Sequence, residues 1–423
     1  MKRKLTRRSF LKAAGTMAVA VSAAGLFAGC DEIPDGPDSG LESGGDASVP
    51  DAPSTAKILW TIQDNGGGTA TLTGYDKTGP QPSGYVVIPS EISGRTITSI
   101  NANFGECTGW TRVTIPGTVK TIQKFGYCPD MKVLELGEGI EEIYSGVFQS
   151  WLGLTSVSFP RSLKEIYRDT FRGCENLRVV SFPDTLEAIY SSAFYKTALE
   201  EVVLPAKVYV GGSAFEKIET LKRVVINTGA TFGGRYGGIF ENCTSLEQVV
   251  FNGSVDSLGQ SMFCGCSSLS DVKLPYGLKK INADAFEDCI SLKKIELPYT
   301  VTEIGQGAFY ACKALVSVSG LNGSQTFGDT IFGGCTALEK IALPEGMQKI
   351  PAAMFHSCSN LRAIYIPVSV KVVESGAFKG CKNLKTVYYG GYLENWQAMY
   401  VKDNGSVLFN ANVYGPCTAS DLK

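Results

Sequence analysis

The chain has 423 residues, 44% of them apolar, and a formal net charge of −2. Residues 1–29 hold six bases and no acid, residues 31–55 hold seven acids and no base, and residues 56–423 carry 33 bases against 34 acids. A near-neutral body offers no basic surplus for a nucleic-acid backbone, and the single histidine, His356, removes most nucleophile–base schemes.

Residues 1–29 read as an address rather than a folded element. A basic start precedes an apolar run from Ala13 to Ala28, shorter than a membrane span needs. Within it, Thr6-Arg7-Arg8-Ser9-Phe10-Leu11-Lys12 resembles the twin-arginine export motif. Leu26-Phe27-Ala28-Gly29-Cys30 resembles a bacterial lipobox. That resemblance implies cleavage before Cys30 and lipidation of its thiol, and more than one acyl chain gives stable anchoring. Residues 30–55 are rich in Pro, Gly, Ser and Asp. Such a composition buries too little to order itself and reads as a flexible acidic tether.

From residue 56 the pattern turns to strands. Ile58–Ile62 and Thr69–Thr73 flank Asn65-Gly66-Gly67-Gly68, which predicts a hairpin covering the open end of the first repeat. Val86-Val87-Ile88-Pro89 and Ile97–Ile100 supply part of a repeat, so residues 56–100 form an N-terminal β cap with a first partial repeat.

The array itself spans 101–396. A Phe recurs at 104, 125, 148, 171, 194, 215, 240, 263, 286, 309, 332, 355 and 378, and nine of the twelve spacings are 23. The same apolar positions follow each Phe, as in Phe263–Phe309. No such unit can bury its apolar face alone, so the units must stack into one core. Leu-x-x-Val-x-Leu, as in Leu292–Leu297, reads as the repeat's strand, and the following Pro stops it. Beyond Trp396 the period ends, and Leu408, Phe409, Val413 and Tyr414 are expected to fold over the last repeat as a cap, 397–423.

The repeat with its Ala-Phe, Cys and Leu-Pro positions resembles the BspA-like leucine-rich-repeat proteins, surface proteins of bacteria and some protists. The resemblance covers about residues 85–400 and includes Val387-Tyr388-Tyr389-Gly390-Gly391 with Trp396. It implies a right-handed, β-rich repeat solenoid, here of about 13 repeats of 23 residues. It also implies adhesion or binding rather than catalysis.

Ten cysteines occupy one repeat position: 107, 128, 174, 243, 266, 289, 312, 335, 358 and 381. Trp151, Thr197 and Ile218 fill it elsewhere, and a metal ligand is not exchanged for Ile. The position therefore reads as buried packing, although neighbouring rungs are close enough to pair as disulfides. Cys264 falls instead in the variable position after a Phe, and reads as a solvent-facing thiol; His356 shares that position and reads as a surface residue.

Three places depart from the scaffold. Tyr144, Tyr167 and Tyr190 recur 23 apart. They form either a strip that binds a sugar ring or side chain or a ladder that only steadies neighbouring turns. The glycine-rich stretch 227–239 places Arg235 and Tyr236 at a loop tip. It is either an insertion on a binding face or drift of the repeat, and it lacks a phosphate loop's Gly-Lys-Ser/Thr. Among the outward strand residues, Tyr365 and Tyr388 suggest a contact surface.

The expected function is a lipid-anchored extracytoplasmic binding or adhesion protein. It would be a monomer, exposed at the bacterial cell envelope, presenting its surface to a protein or glycan on host matrix, mucin or a neighbouring cell. No cofactor, metal or catalytic residue is expected. A passive envelope scaffold is the alternative, and a carboxylate-dependent hydrolase the remote one.

Overall fold

Most turns of the chain hold two extended segments, and each column of segments forms a series of parallel ladders along the array. The computed structural model describes residues 53–54, 57–105, 107–233, 237–402 and 406–422. Within the unit that comprises Val49–Lys423, the ladders build a β-solenoid of about 15 turns of roughly 23 residues.

The first ladder is the expected Leu-x-x-Val-x-Leu strand. Gly84–Val87, Trp110–Ile115, Val133–Leu136, Ser156–Ser158 and Val179–Ser181 form its first run. Val113 lies opposite Leu134, Leu134 opposite Val157, and Val157 opposite Val180. A one-residue slip would turn each of these outward, so the inward apolar residue fixes the register.

The second ladder was not anticipated from the sequence. Many of its strands are two residues long, such as Glu142–Ile143, Glu165–Ile166 and Ala188–Ile189. Ile122, Ile143, Ile166, Ile189 and Val210 lie on successive rungs, all buried. Two residues are too few to show a period-2 alternation, so the pattern was invisible in any one repeat.

The third side of the turn is built around the Phe. Residues two before and two after it sit at positive φ, as with Asp284 (58°) and Asp288 (54°) around Phe286. Gly307 (61°) and Ala311 (55°) do the same around Phe309. This left-handed region favours Gly, Asn and Asp. The two reversals bracket the Phe, whose ring is fully buried. Its N–H donates to the next turn, Phe286 to the Ala308 carbonyl at 2.8 Å and Phe309 to Ile331 at 3.0 Å. From Phe171 to Phe378 the rings stack with centroids 5.2–5.9 Å apart and planes within 21°. Nearer the N-terminus Phe125 instead packs edge-on against Trp110 and Trp151.

The cysteines complete this side. Cys266 Sγ donates to the Phe240 carbonyl, Cys289 to Phe263 and Cys312 to Phe286, each at 3.2 Å. The same carbonyls accept the N–H of the Cys in their own turn. At Cys position 151 the indole Nε1 does a similar job, donating to the Gly126 carbonyl at 2.9 Å. The thiols thus point at carbonyls one turn back. Burial pushes Cys174, Cys243 and Cys381 up to about 12.

Both ends are closed by departures from the repeat. Trp60–Gly66 pairs antiparallel with Thr69–Tyr75, which runs parallel to Arg95–Asn101. The Tyr75 ring lies over Phe104 at 6.1 Å and 22°, ending the aromatic column. At the other end the period stops but the ladders do not. Tyr400–Val401 pairs with Val372–Val373, and Asn412–Tyr414 with Thr386–Tyr389. These end turns account for an array longer than its 13 Phe markers. Leu408 is fully buried there, but Phe409 and Tyr414 are 58% and 53% exposed. In Asn412–Tyr414 only the middle residue, Val413, is turned toward the core.

Replacing Phe286 by Ala is expected to cost about 3–5 kcal/mol, because the ring is fully buried in a packed column. Val179→Ala, on the exposed side of a strand, should stay within about 0.5 kcal/mol. Urea titration of both variants checks this, and equal losses would contradict the assignment of the core.

Candidate functional site

The ladders fix what each surface column presents. Tyr144, Tyr167 and Tyr190 follow the second-ladder Ile and do stand beside one another, at 5.8 Å and 47° and then 5.4 Å and 20°. Tyr209 joins them from the next turn, 6.0 Å from Tyr190. It precedes Val210 instead of following it, so the sequence period does not reveal it. Tyr190 Oη donates to Glu165 Oε1 at 3.2 Å. Hydrogen bonding to Glu165, then burial, raises the Tyr167 phenol; burial, then the Glu165 charge, raises Tyr190. The middle rings stack on each other, so their faces are taken within the ladder.

The pair Tyr365 and Tyr388 is not the outward surface expected. Tyr365 is only 2% exposed. Its phenol hydrogen-bonds Glu345, and burial raises it first, with Glu345, Cys417 and Asp421 adding to the effect. Those last two residues place the returning C-terminal segment close to the ring. Gly390 is part of the same cover: a Cβ there would lie 2.7 Å from Tyr365 Oη. Tyr388 is half-buried and lies against Tyr414 at 6.1 Å. Arg235, Tyr236 and Cys30 lie outside the described residues.

Cys264 and His356 are both half-buried rather than fully exposed. The Cys264 thiol faces Glu287 Oε2 at 3.8 Å. It is pushed up to about 12 by burial and by Glu287, Glu241, Asp288 and Asp284. Burial, with Asp284 and Asp288 nearby, also raises the Glu287 carboxyl, and burial raises Asp284. Among the described residues no group of His, Cys, Asp and Glu is arranged to hold a metal ion.

The most open feature is one the sequence reading missed. Tyr276 and Tyr299 are 70% and 72% exposed, with rings 5.7 Å apart and hydroxyls hydrogen-bonded. Both directly follow the Pro that ends the first-ladder strand, where other repeats have Gly117, Arg161, Asp184, Glu345 and Val368. That contrast was the available signal. The first ladder also breaks between Val179–Ser181 and Glu201–Leu204 and between Ser317–Ser319 and Lys340–Ala342, but here one turn contributes no strand to it. Asp271–Leu274 pairs neither with Gln248–Asn252 nor with Lys294–Glu296. Two grooves of about 730 and 550 Å³ result, sharing Asp271, Lys273, Leu274 and Tyr276. Val250, Phe251, Leu274 and Pro275 line the first, and Lys294, Glu296, Leu297 and Pro298 line the second. Both linings mix apolar side chains with charged ones, Glu247, Asp271 and Lys273 in the first and Asp271, Lys273, Lys294 and Glu296 in the second.

Comparison with known proteins fits this architecture. The model of the BspA type leucine rich repeat region matches six times, over residues 98–222, 208–315 and 279–404. The chain belongs to this family. A leucine rich cell surface protein from Faecalibacterium prausnitzii is 25% identical, over 85% of this chain and 100% of that one, with a TM-score of 0.43. A leucine-rich repeat protein from Bacteroides ovatus is 23% identical over 86% and 99%, with a TM-score of 0.43. The pneumococcal vaccine antigen PcpA is 18% identical over 87% and 98%, with a TM-score of 0.50. No curated protein matches the sequence.

Two outcomes follow for the acidic edge. At about pH 8 native Cys264 should react with a disulfide reagent roughly a thousandfold more slowly than an unperturbed thiol, and Glu287→Gln should speed it. Labelling as fast as a free cysteine would contradict the burial. Glu287 and Asp284 bind protons more readily folded than unfolded, so their contribution to stability falls as pH rises through the carboxylate range. Urea midpoints measured against pH should show a shallower fall in Glu287→Gln.

Proposed function

We propose that this chain is an exported, lipid-anchored binding or adhesion protein that performs no chemistry and presents its solenoid to a protein or glycan. Membership of the BspA-type repeat family supports a surface role. The export-like motif and Cys30 support the anchor. The observation that carries the reading is the Tyr276–Tyr299 pair beside the interrupted ladder. Two adjacent rings left about 70% exposed in the middle of the array, away from its end turns, are not explained by folding. A groove lined by apolar and charged side chains, beside a segment outside the strand ladder, suits an extended polypeptide whose side chains alternate and whose backbone seeks partners.

A binding array of host matrix proteins and mucins tests this. Tyr276→Ala with Tyr299→Ala should weaken the protein contact at least about tenfold, the scale of losing aromatic anchors. Folding should be unaffected, since both rings are mostly in solvent. Undiminished binding would place the contact elsewhere. In cells, a radioactive fatty acid should label the chain, and Cys30→Ala should abolish the labelling. No incorporation removes the anchor from the reading.

A further inference from the structure

The edge of the solenoid on either side of the Phe column carries a second feature, remote in the chain from the Tyr276 groove. Arg172, Tyr195, Lys196 and Lys217 come from three consecutive turns and converge on one ring. The Arg172 guanidinium lies 4.3 Å from the Tyr195 centroid, Lys217 Nζ 5.5 Å and Lys196 Nζ 5.9 Å. Lys217 Nζ also donates to Tyr195 Oη at 3.3 Å. Arg168 adds a fourth cation at the same edge, on Asp169. Asp169 and Glu216 are the carboxylates paired to this group. Lys196 is exposed and has no carboxylate partner among the described residues.

Folding does not ask for these lysines. Lys196 and Lys217 sit two residues after a Phe, at φ of 55° and 59°. The corresponding positions elsewhere are Gly173, Asn242, Gly265, Asp288, Gly334 and Gly380, residues suited to that conformation, or the small Ser150, Ala311 and Ser357; only here is a long cation placed there. Two long cations on neighbouring rungs oppose both the backbone preference and each other's charge. Such a choice is explained by something the pair binds. Three cations lie within about 6 Å of the Tyr195 ring centroid, so the site is suited to negative charge rather than to stacking a neutral sugar.

We infer that this edge is a binding site for sulfate or carboxylate groups carried on a saccharide. The acidic residues bound its length. Glu216 occupies the same column in the last basic turn, and Glu241 and Glu287 occupy it in later turns. A continuous phosphate chain would run into them, whereas anionic groups spaced along a glycan need only the basic turns. The inference rests on the chain acting outside the cytoplasm, as a binding protein, and adds a ligand class at a separate site.

The test uses the purified full chain and surface-immobilised chondroitin sulfate, its desulfated form, neutral dextran and polyphosphate. Chondroitin sulfate should bind, more weakly as salt rises, and dextran should not. Loss of binding on desulfation assigns sulfate, and retention assigns the carboxylates. Lys196→Gly with Lys217→Gly should reduce binding about tenfold or more, the scale of two charge-assisted contacts. The same variant should melt at an unchanged or higher temperature, because glycine suits both positions. Glycan binding equal to wild type in that variant overturns the site, as does equal or tighter binding to polyphosphate. A chain that takes protein ligands at the Tyr276 groove but no anionic glycan overturns this site alone. One that takes neither overturns it together with the binding reading.

Discussion

Everything in this molecule depends on the chain returning to the same place every turn. No single turn buries enough apolar surface to offset the entropy of ordering it. Three separate fasteners enforce the return: the first-ladder strand, the two-residue second ladder, and the bracketed Phe with its Cys. The third is the least conventional. A pair of left-handed residues reverses the chain twice, and the Phe N–H and the Cys thiol then bond to the turns on either side. Backbone polar groups outside the strands are thereby paired across turns, which buried polar groups require.

Much of this was legible in the sequence, for a physical reason. Stacking makes each turn meet a copy of itself, so a residue that must fit its own neighbour recurs at the period. Phe, Cys, Leu and the strand Val or Ile all obey that rule. The left-handed bracket was legible too, as Gly, Ser, Asn or Asp two residues from Phe, but it needs a backbone argument rather than an apolar pattern to be seen. The second ladder was too short to announce itself. Tyr365 was misplaced because its cover comes from residues beyond the period, near Cys417 and Asp421, which no repeat comparison can foresee.

The candidate site divides along the same line. Tyr144, Tyr167 and Tyr190 were found because they recur, and recurrence is also why their faces are spent on one another. Tyr276 and Tyr299 recur only once. They lie beside a turn that adds no strand to the first ladder, a property seen only against its neighbours and in no single repeat. Periodicity is therefore evidence of packing first. Function is better sought where a column changes character while its neighbours hold, as with lysine in a glycine position or tyrosine after a strand-ending proline.

The redundancy of fasteners is what permits such changes. Where the first ladder opens at Asp271–Leu274, Phe240, Phe263 and Phe286 remain stacked within 21°, and Leu258, Ile281 and Ile304 remain in register. One face can thus surrender its strand pairing without loosening the turn. The groove is then framed by the two columns that stay closed, so a ligand at the proposed site would meet a surface already ordered. Binding to such a surface forfeits little conformational entropy. An array of nearly identical turns thereby supplies what a single small domain cannot: the freedom to leave one segment out of its ladder and two aromatic rings exposed while the core continues past it.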